Sequence, residues 1–275
     1  TGISPVIIPQ RNIKAVIFDI YGTLFISGSG DITNLSERED FLHKALKNSG
    51  FSILMPDSKL LSVKEFRRAV EYYHEESRRR ASFHPEVEVI GLWKAILKKW
   101  KDLGIIRGKL SEKGIKSFIC IYEALSNPVW PMPGLLDLLQ WLSDKIFLGI
   151  IANAQFYTPL LFPAFFSNKT PSDLGFLREL TVFSFEEGVA KPDLFLFEKL
   201  KKTLLKKYNI LPENTLFIGN DMKNDIYPAQ CLGMKTGLFA GDKRSLRLYT
   251  DNDILKACVP SVTITSLSQL KSILL

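Results

Sequence analysis

Cysteine is scarce here and makes no pattern. Cys120, Cys231 and Cys258 are far apart, odd in number and form no CxxC pair. That argues against a disulfide framework or a zinc site and for a reducing compartment. Histidine is equally sparse. His43, His74 and His84 have no ligand spacing and read as surface or helix-packing residues. Long apolar runs are missing too: nothing approaches the roughly 18 residues that span a bilayer, and the best candidate, KIFLGIIAN at Lys145–Asn153, has the length of a strand. The opening TGISPVIIPQRN starts at Thr1, as a trimmed chain would, and lacks a basic stretch followed by a long apolar one. It is a poor signal peptide, so a cytoplasmic location is expected. The Gly28–Gly30 loop has no Lys-Ser/Thr after it, which excludes a P-loop. There is no internal repeat and no low-complexity tract.

What is present suits a globular chain. At 275 residues, one larger and one smaller domain are expected, and folding would bury about 70–75% of the surface of the unfolded chain. The net charge of +7 comes from 36 basic and 29 acidic residues. Two basic clusters stand out, Arg78–Arg80 and EKLKKTLLKK at Glu198–Lys207. In the second, Phe197, Leu200, Leu204 and Tyr208 recur at helical spacing, which leaves the lysines on a solvated outer face. No nucleic-acid or membrane partner is expected. The positive balance would draw in small anions.

Strand and helix signals alternate in the outer parts of the chain. Short, continuously apolar strands are predicted at Ala15–Phe18, Ile146–Ile151, Leu180–Ser184, Thr215–Ile218, Thr236–Phe239 and Val262–Ile264. Helices are predicted at Leu135–Ser143, Pro192–Tyr208 and Asn224–Leu232, with a short one from Leu267. This alternation predicts an α/β fold with a doubly wound parallel sheet. From Ser36 to Asn127 the pattern changes to four helices, near Glu37–Ser49, Val63–Ala81, Glu86–Leu103 and Ser111–Leu125, with no strand. Ser36 with Glu39, and Ser62 with Glu65, read as capping boxes. Leu92, Ile96 and Trp100 read as a core-facing stripe. The Gly/Ser-rich Phe25–Thr33 and the proline-rich Asn127–Gly134 read as linkers. The expected division is a core of residues 1–26 and 130–275 and an inserted all-helical domain of residues 27–129.

The chemistry gathers at predicted strand ends. Asp19 follows AVIF; alone it would pass for a turn residue. The strand at Leu216–Ile218 runs into GNDMKND, giving Asp221 and Asp225. EEGVAKPD follows Leu180–Ser184 and contains Lys191, and Ala152-Asn153 follows Ile151. In a parallel sheet these ends share one edge, where α/β folds place ligands. Converging carboxylates repel and call for a cation. Oxygen ligands favour Mg²⁺, which keeps waters for a phosphate.

The strand-ending DxxGT, the Asn-ended strand, the Lys-Pro and the GxD…ND, in that order, resemble the haloacid dehalogenase (HAD) superfamily of aspartate-nucleophile hydrolases. The resemblance runs from Val16 to about Phe239. It implies a Rossmann-like core with a helical cap inserted after the first strand. It also implies roles: Asp19 as nucleophile, Mg²⁺ held by Asp19, the carbonyl of Tyr21, Asp221 and Asp225, and Lys191 offsetting charge at the reacting group. Thr23 and Asn153 would position the loop and the phosphoryl oxygens. The implied activity is Mg²⁺-dependent hydrolysis of a small phosphorylated metabolite through an aspartyl phosphate.

Two positions depart from the phosphatase pattern. Tyr21 stands where most phosphatases of the superfamily carry a second Asp as acid and base, and Ala152 replaces the usual Ser or Thr. FDIYGTL also resembles the 2-haloacid dehalogenases, whose halide leaves without a proton. Three readings therefore stand at this point: a phosphohydrolase, a C–halogen hydrolase, and a binding protein with weak or lost catalysis.

Overall fold

A computed structural model describes residues 1–28, 39–79 and 84–274, apart from the side chain of Arg78. The Ser36 cap, the linker beyond Gly28 and the far end of the Arg78–Arg80 run lie outside the described residues. The chain divides into two compact units, Thr1–Ser27 with Trp130–Leu275, and Gly28–Val129.

The first unit is built on a six-stranded sheet. Its strands are β1 (Ala15–Phe18), β2 (Phe147–Ala152), β3 (Phe176–Phe183), β4 (Thr215–Gly219), β5 (Lys235–Phe239) and β6 (Val262–Ile264). They lie in the order β6-β5-β4-β1-β2-β3, and every pairing is parallel. β1 is central because all four of its residues, AVIF, are apolar and fully buried; a strand with no polar face must be covered on both sides. Ala15 and Ile17 pack with Phe197, Leu200 and Leu204 of the helix Leu194–Tyr208. Phe18, on the other face, meets Phe176 edge-on, and Phe176 in turn meets Phe162. The lysines of that helix stay outside, where Lys199 pairs with Glu187 and Lys207 with Glu179.

β3 begins at Phe176, well before the predicted Leu180. It is an edge strand, so Arg178 and Glu179 are exposed and hide its start from an apolar-run criterion. The predicted helix Asn224–Leu232 is instead a π-turn, Met222–Ile226, followed by a short α-helix, Tyr227–Cys231.

The second unit contains helices Glu39–Asn48, Lys64–Arg79, Val89–Asp102 and Glu112–Ser126. Its core centres on Trp93, stacked on Phe66 at 4.6 Å and met edge-on by Phe118 and Tyr122. Trp100 is also buried, and its indole N–H donates to the Leu60 carbonyl (2.8 Å). Trp93 therefore carries the stripe expected of Leu92, which is half-buried. The expectation of no strand here is corrected by a short antiparallel pair, Ser52–Ile53 with Ile106–Arg107. Two-residue strands are too short to show periodicity. At Ser62 the cap is one-sided: its hydroxyl accepts from the Lys64 N–H, while Glu65 pairs with Arg68 and Lys99.

Candidate active site

β1 hands its ladder on to Asp19, whose N–H donates to the Ile218 carbonyl at 2.9 Å. The carboxylate that follows is buried, at 7% exposure, and lies against Lys191, at 6%. The Lys191 ammonium donates to Asp19 Oδ1 (2.7 Å), Asp225 Oδ1 (2.5 Å) and the Ile151 carbonyl (3.4 Å). An ammonium has three protons, so all of its donors are directed inward. Burial pushes the Asp19 carboxyl up to about 7; Lys191 opposes the rise and Asp225 adds to it. Burial works against the charge on Lys191, but the two carboxylates outweigh it and hold its pKa above the ordinary lysine value.

Asp225 reaches Lys191 because of a glycine. Its Oδ2 accepts the backbone N–H groups of Asn220 (3.1 Å) and Asp221 (3.0 Å). A Cβ on Gly219 would stand 2.4 Å from that oxygen, so the carboxylate can tuck under the end of β4 only where no side chain intervenes. Asp221 caps the π-turn: its Oδ1 accepts from the N–H groups of Lys223 and Asn224, both at 2.8 Å. Its Oδ2 accepts from Asn224 Nδ2 (3.0 Å) and the Tyr249 hydroxyl (3.1 Å). Burial, then Asp225, raises the pKa of Asp221, and the capping N–H groups oppose the rise.

The loop after β1 is fixed from the far side. Thr23 Oγ1 donates to Asn220 Oδ1 (3.0 Å), and Asn220 Nδ2 donates to the Ser245 carbonyl (2.6 Å). Gly22 lies between them with φ +83°, and a Cβ there would come within 2.4 Å of Ser245 Cβ. Asn153 grips the Lys191 backbone at two points, accepting its N–H at 2.6 Å and donating to its carbonyl at 3.2 Å. Its amide thus holds the lysine loop. Ser184, at the end of β3, ties the same region together through both backbone groups of Ala154. The Tyr21 phenol lies 3.0 Å from the hydroxyl of Thr158.

The strand ends of this unit thus bring Lys191 onto Asp19 and Asp225, with Asp221 joined to Asp225 through its backbone. The side chains here are of the type a hard cation takes. All donors are oxygen, and Lys191 is engaged by Asp19 and Asp225, leaving Asp221 with hydrogen-bond donors and no ion pair among the described residues. Among those residues, no group of three or more His, Cys, Asp or Glu is arranged around a common metal position. A cation here would rely on two carboxylates, a carbonyl and water, the ligand set Mg²⁺ accepts. Sequence reasoning missed Asn220, Ser184, Ser245, Tyr249 and Thr158. Asn220 was visible inside GND; the other four carry no spacing signal.

Comparison with known proteins bears on the family and the fold. The family model of haloacid dehalogenase-like hydrolases matches residues 13–233. A curated relative, glyceraldehyde 3-phosphate phosphatase of Pyrococcus furiosus, is 33% identical over 99 residues, 36% of this chain and 37% of that protein. The matched stretch is therefore little more than a third of the relative's length. The 2-haloacid dehalogenase of Pseudomonas syringae pv. Tomato DC3000 superposes with a TM-score of 0.62 at 20% identity, over 95% of this chain and 97% of that one. A predicted phosphoglycolate phosphatase of Haemophilus somnus 129pt superposes with a TM-score of 0.50 at 17% identity, over 96% and 99%. At such identities the likeness is one of fold.

Proposed function

The chain belongs to the haloacid dehalogenase-like hydrolase family, and from that premise we propose that it is a Mg²⁺-dependent phosphohydrolase of a small phosphorylated metabolite, working through a phosphorylated Asp19. The observation that carries this reading is the buried Asp19–Lys191–Asp225 contact beside Asp221. Three carboxylates with one ammonium leave a net negative centre, which would repel an anionic substrate unless a cation joins it.

In this reading Asp19 attacks phosphorus as the ionised carboxylate and needs no base to activate it. Lys191 holds Asp19 in place and offsets charge on the transferring group. Asp19, the Tyr21 carbonyl and Asp221 would hold Mg²⁺, with Asp225 acting through water. When bound, the ion would neutralise charge between carboxylate and phosphate. Thr23 and Asn153 keep the two loops in register, and the Tyr21 phenol protonates the leaving oxygen. The helical unit takes the role of a cap because of its place after the first strand. The proposed location is the cytoplasm. None of the described helices is long and apolar enough to cross a membrane.

A second reading, C–halogen hydrolysis, draws on Tyr21 alone: a halide needs no proton, so a phenol suffices where an acid is otherwise required. A screen of phosphate esters and 2-haloacids, with and without EDTA, separates the two. Phosphate release that needs both Asp19 and a divalent metal is the expected result. Release that survives Asp19→Asn or EDTA would refute it. Metal-independent halide release would establish the second reading, and binding of a phosphate analogue without any turnover would mark a protein that has lost catalysis.

A further inference from the structure

The Asp221 carboxylate has its hydrogen-bonding capacity filled. A carboxylate offers about four lone-pair positions. Here Oδ1 accepts from the N–H groups of Lys223 and Asn224, and Oδ2 accepts from Asn224 Nδ2 and the Tyr249 hydroxyl. A cation binds through one of those lone pairs, so a donor has to give way first. The donors are not equally held. Both of those on Oδ1 are backbone groups of the π-turn that Asp221 caps, and losing either would strand an N–H. The Asn224 amide belongs to the same turn and is tied to Asp221 by its own backbone as well. Tyr249 comes from elsewhere, 28 positions on, in the loop after β5.

That loop is pinned as far as Arg247. Asn220 Nδ2 donates to the Ser245 carbonyl, the Arg247 N–H to the Asn220 carbonyl (3.0 Å), and the Met222 N–H to the Arg247 carbonyl (2.9 Å). Tyr249 lies beyond the last of these ties. Its φ is +54°, a left-handed backbone that a bulky residue seldom takes. The residue is 38% exposed, and among the described residues Asp221 is the one partner of its hydroxyl. A released phenol would therefore meet water, and Tyr249 is the donor that leaves Asp221 at least cost.

We propose that Tyr249 is a positioning residue that works as a latch: its hydroxyl must leave Asp221 Oδ2 before that oxygen can take a cation. The inference rests on the Mg²⁺ reading given above and adds a control on it. With the latch closed, hydrogen bonds alone hold Asp221. With it open, Oδ2 has a lone pair to offer, while the turn N–H groups and the Asn224 amide keep the carboxylate aimed. Tyr249 thus lowers the metal affinity of the site by competing for one of its ligands.

The test is the rise of melting temperature with MgCl₂ at constant ionic strength, because a ligand that binds the folded state stabilises it according to its concentration over Kd. Wild type, Tyr249→Phe, Tyr249→Leu and Asp221→Asn are compared. A hydrogen bond to a charged group, net of water, corresponds to about tenfold in affinity, so Tyr249→Phe should respond to Mg²⁺ at about one-tenth of the wild-type concentration. Without added metal it should melt no higher than wild type. Tyr249→Leu should behave as Tyr249→Phe does, and Asp221→Asn should lose the response. A Tyr249→Phe protein that needs as much Mg²⁺ as wild type or more, or a gain shown by Tyr249→Leu alone, would overturn the latch. Mg²⁺-dependent turnover through Asp19 would then leave the phosphohydrolase reading standing. A response that Asp221→Asn keeps, or one absent from wild type and Tyr249→Phe alike, would remove Asp221 as a ligand and the latch with it.

Discussion

Lys191 donates to Asp19 across 2.7 Å, with both side chains almost wholly out of solvent. The same ammonium donates to Asp225, so one charge serves two carboxylates. Removing it would leave two buried acids facing each other without a cation. Lys191→Met is expected to cost about 3–5 kcal/mol of stability, the range for breaking a buried pair from one side, and to abolish Asp19-dependent turnover. Urea denaturation measures the first effect. A loss under about 1 kcal/mol would show that the pair contributes far less than a buried charge should.

The titration of Asp19 gives stability a definite sign. Its carboxyl is raised from 3.8 to about 7, by burial first, so the folded protein keeps a proton that the unfolded chain has already released. The contribution is complete below about pH 4 and is lost as pH rises through about 7. Wild type should therefore lose stability relative to Asp19→Asn between pH 4 and pH 8 in metal-free buffer. Saturating Mg²⁺ should flatten the difference by favouring the ionised form. Denaturation midpoints along this pH series check both statements, and a gap that widens in favour of wild type with rising pH would contradict the sign.

In the proposed phosphohydrolase reaction, Tyr21 would serve the two halves unequally. A phenol can donate a proton to the leaving group, but at neutral pH it is a poor base for the water that must cleave the aspartyl phosphate. Breakdown of the intermediate should limit turnover, and rapid mixing with p-nitrophenyl phosphate should show a burst of about one equivalent before the steady state. Tyr21→Asp should supply the missing base and raise the steady-state rate about tenfold or more. A linear time course with no burst, together with an unimproved Tyr21→Asp, would place the slow step elsewhere.

Gly22 is a steric prediction. Its φ of +83° and the proximity of Ser245 Cβ leave no room for a methyl group. The left-handed backbone alone makes Gly22→Ala cost about 1–2 kcal/mol, and the contact adds to it by displacing Asn220, which holds Thr23. Thermal unfolding should register the loss, and turnover should fall with it. A variant with unchanged melting and activity would show that the loop relaxes freely.

The sequence disclosed what local pattern can encode. β1 and β6 are found to the residue because they are short apolar runs with clear ends. Asp19, Asp221, Asp225 and Lys191 could be named together because strand ends in a parallel sheet share an edge. The contact between Tyr21 and Thr158 was invisible, because the two are 137 positions apart. The use of Asn153 was equally hidden, since an amide that grips the Lys191 backbone has the same sequence as one facing a substrate. The start of β3 was lost because its exposed residues sit at a sheet edge, a tertiary fact.

The π-turn at Met222–Ile226 has a bearing on insertions and deletions. In it the Ile226 N–H reaches back five residues to the Asp221 carbonyl at 3.1 Å, which holds one residue more than an α-helical turn would. Deleting Met222, Lys223 or Asn224 would let the segment close into a regular helix, a local gain in hydrogen bonding. It would also swing the acid at 225 by about 100° around the helix axis, one residue's step, and carry it off Lys191. A relative one residue shorter here could fold at least as well and yet lack the shared ammonium contact. The length of this turn is therefore a better marker of the Lys191–Asp225 contact than the presence of its two acids.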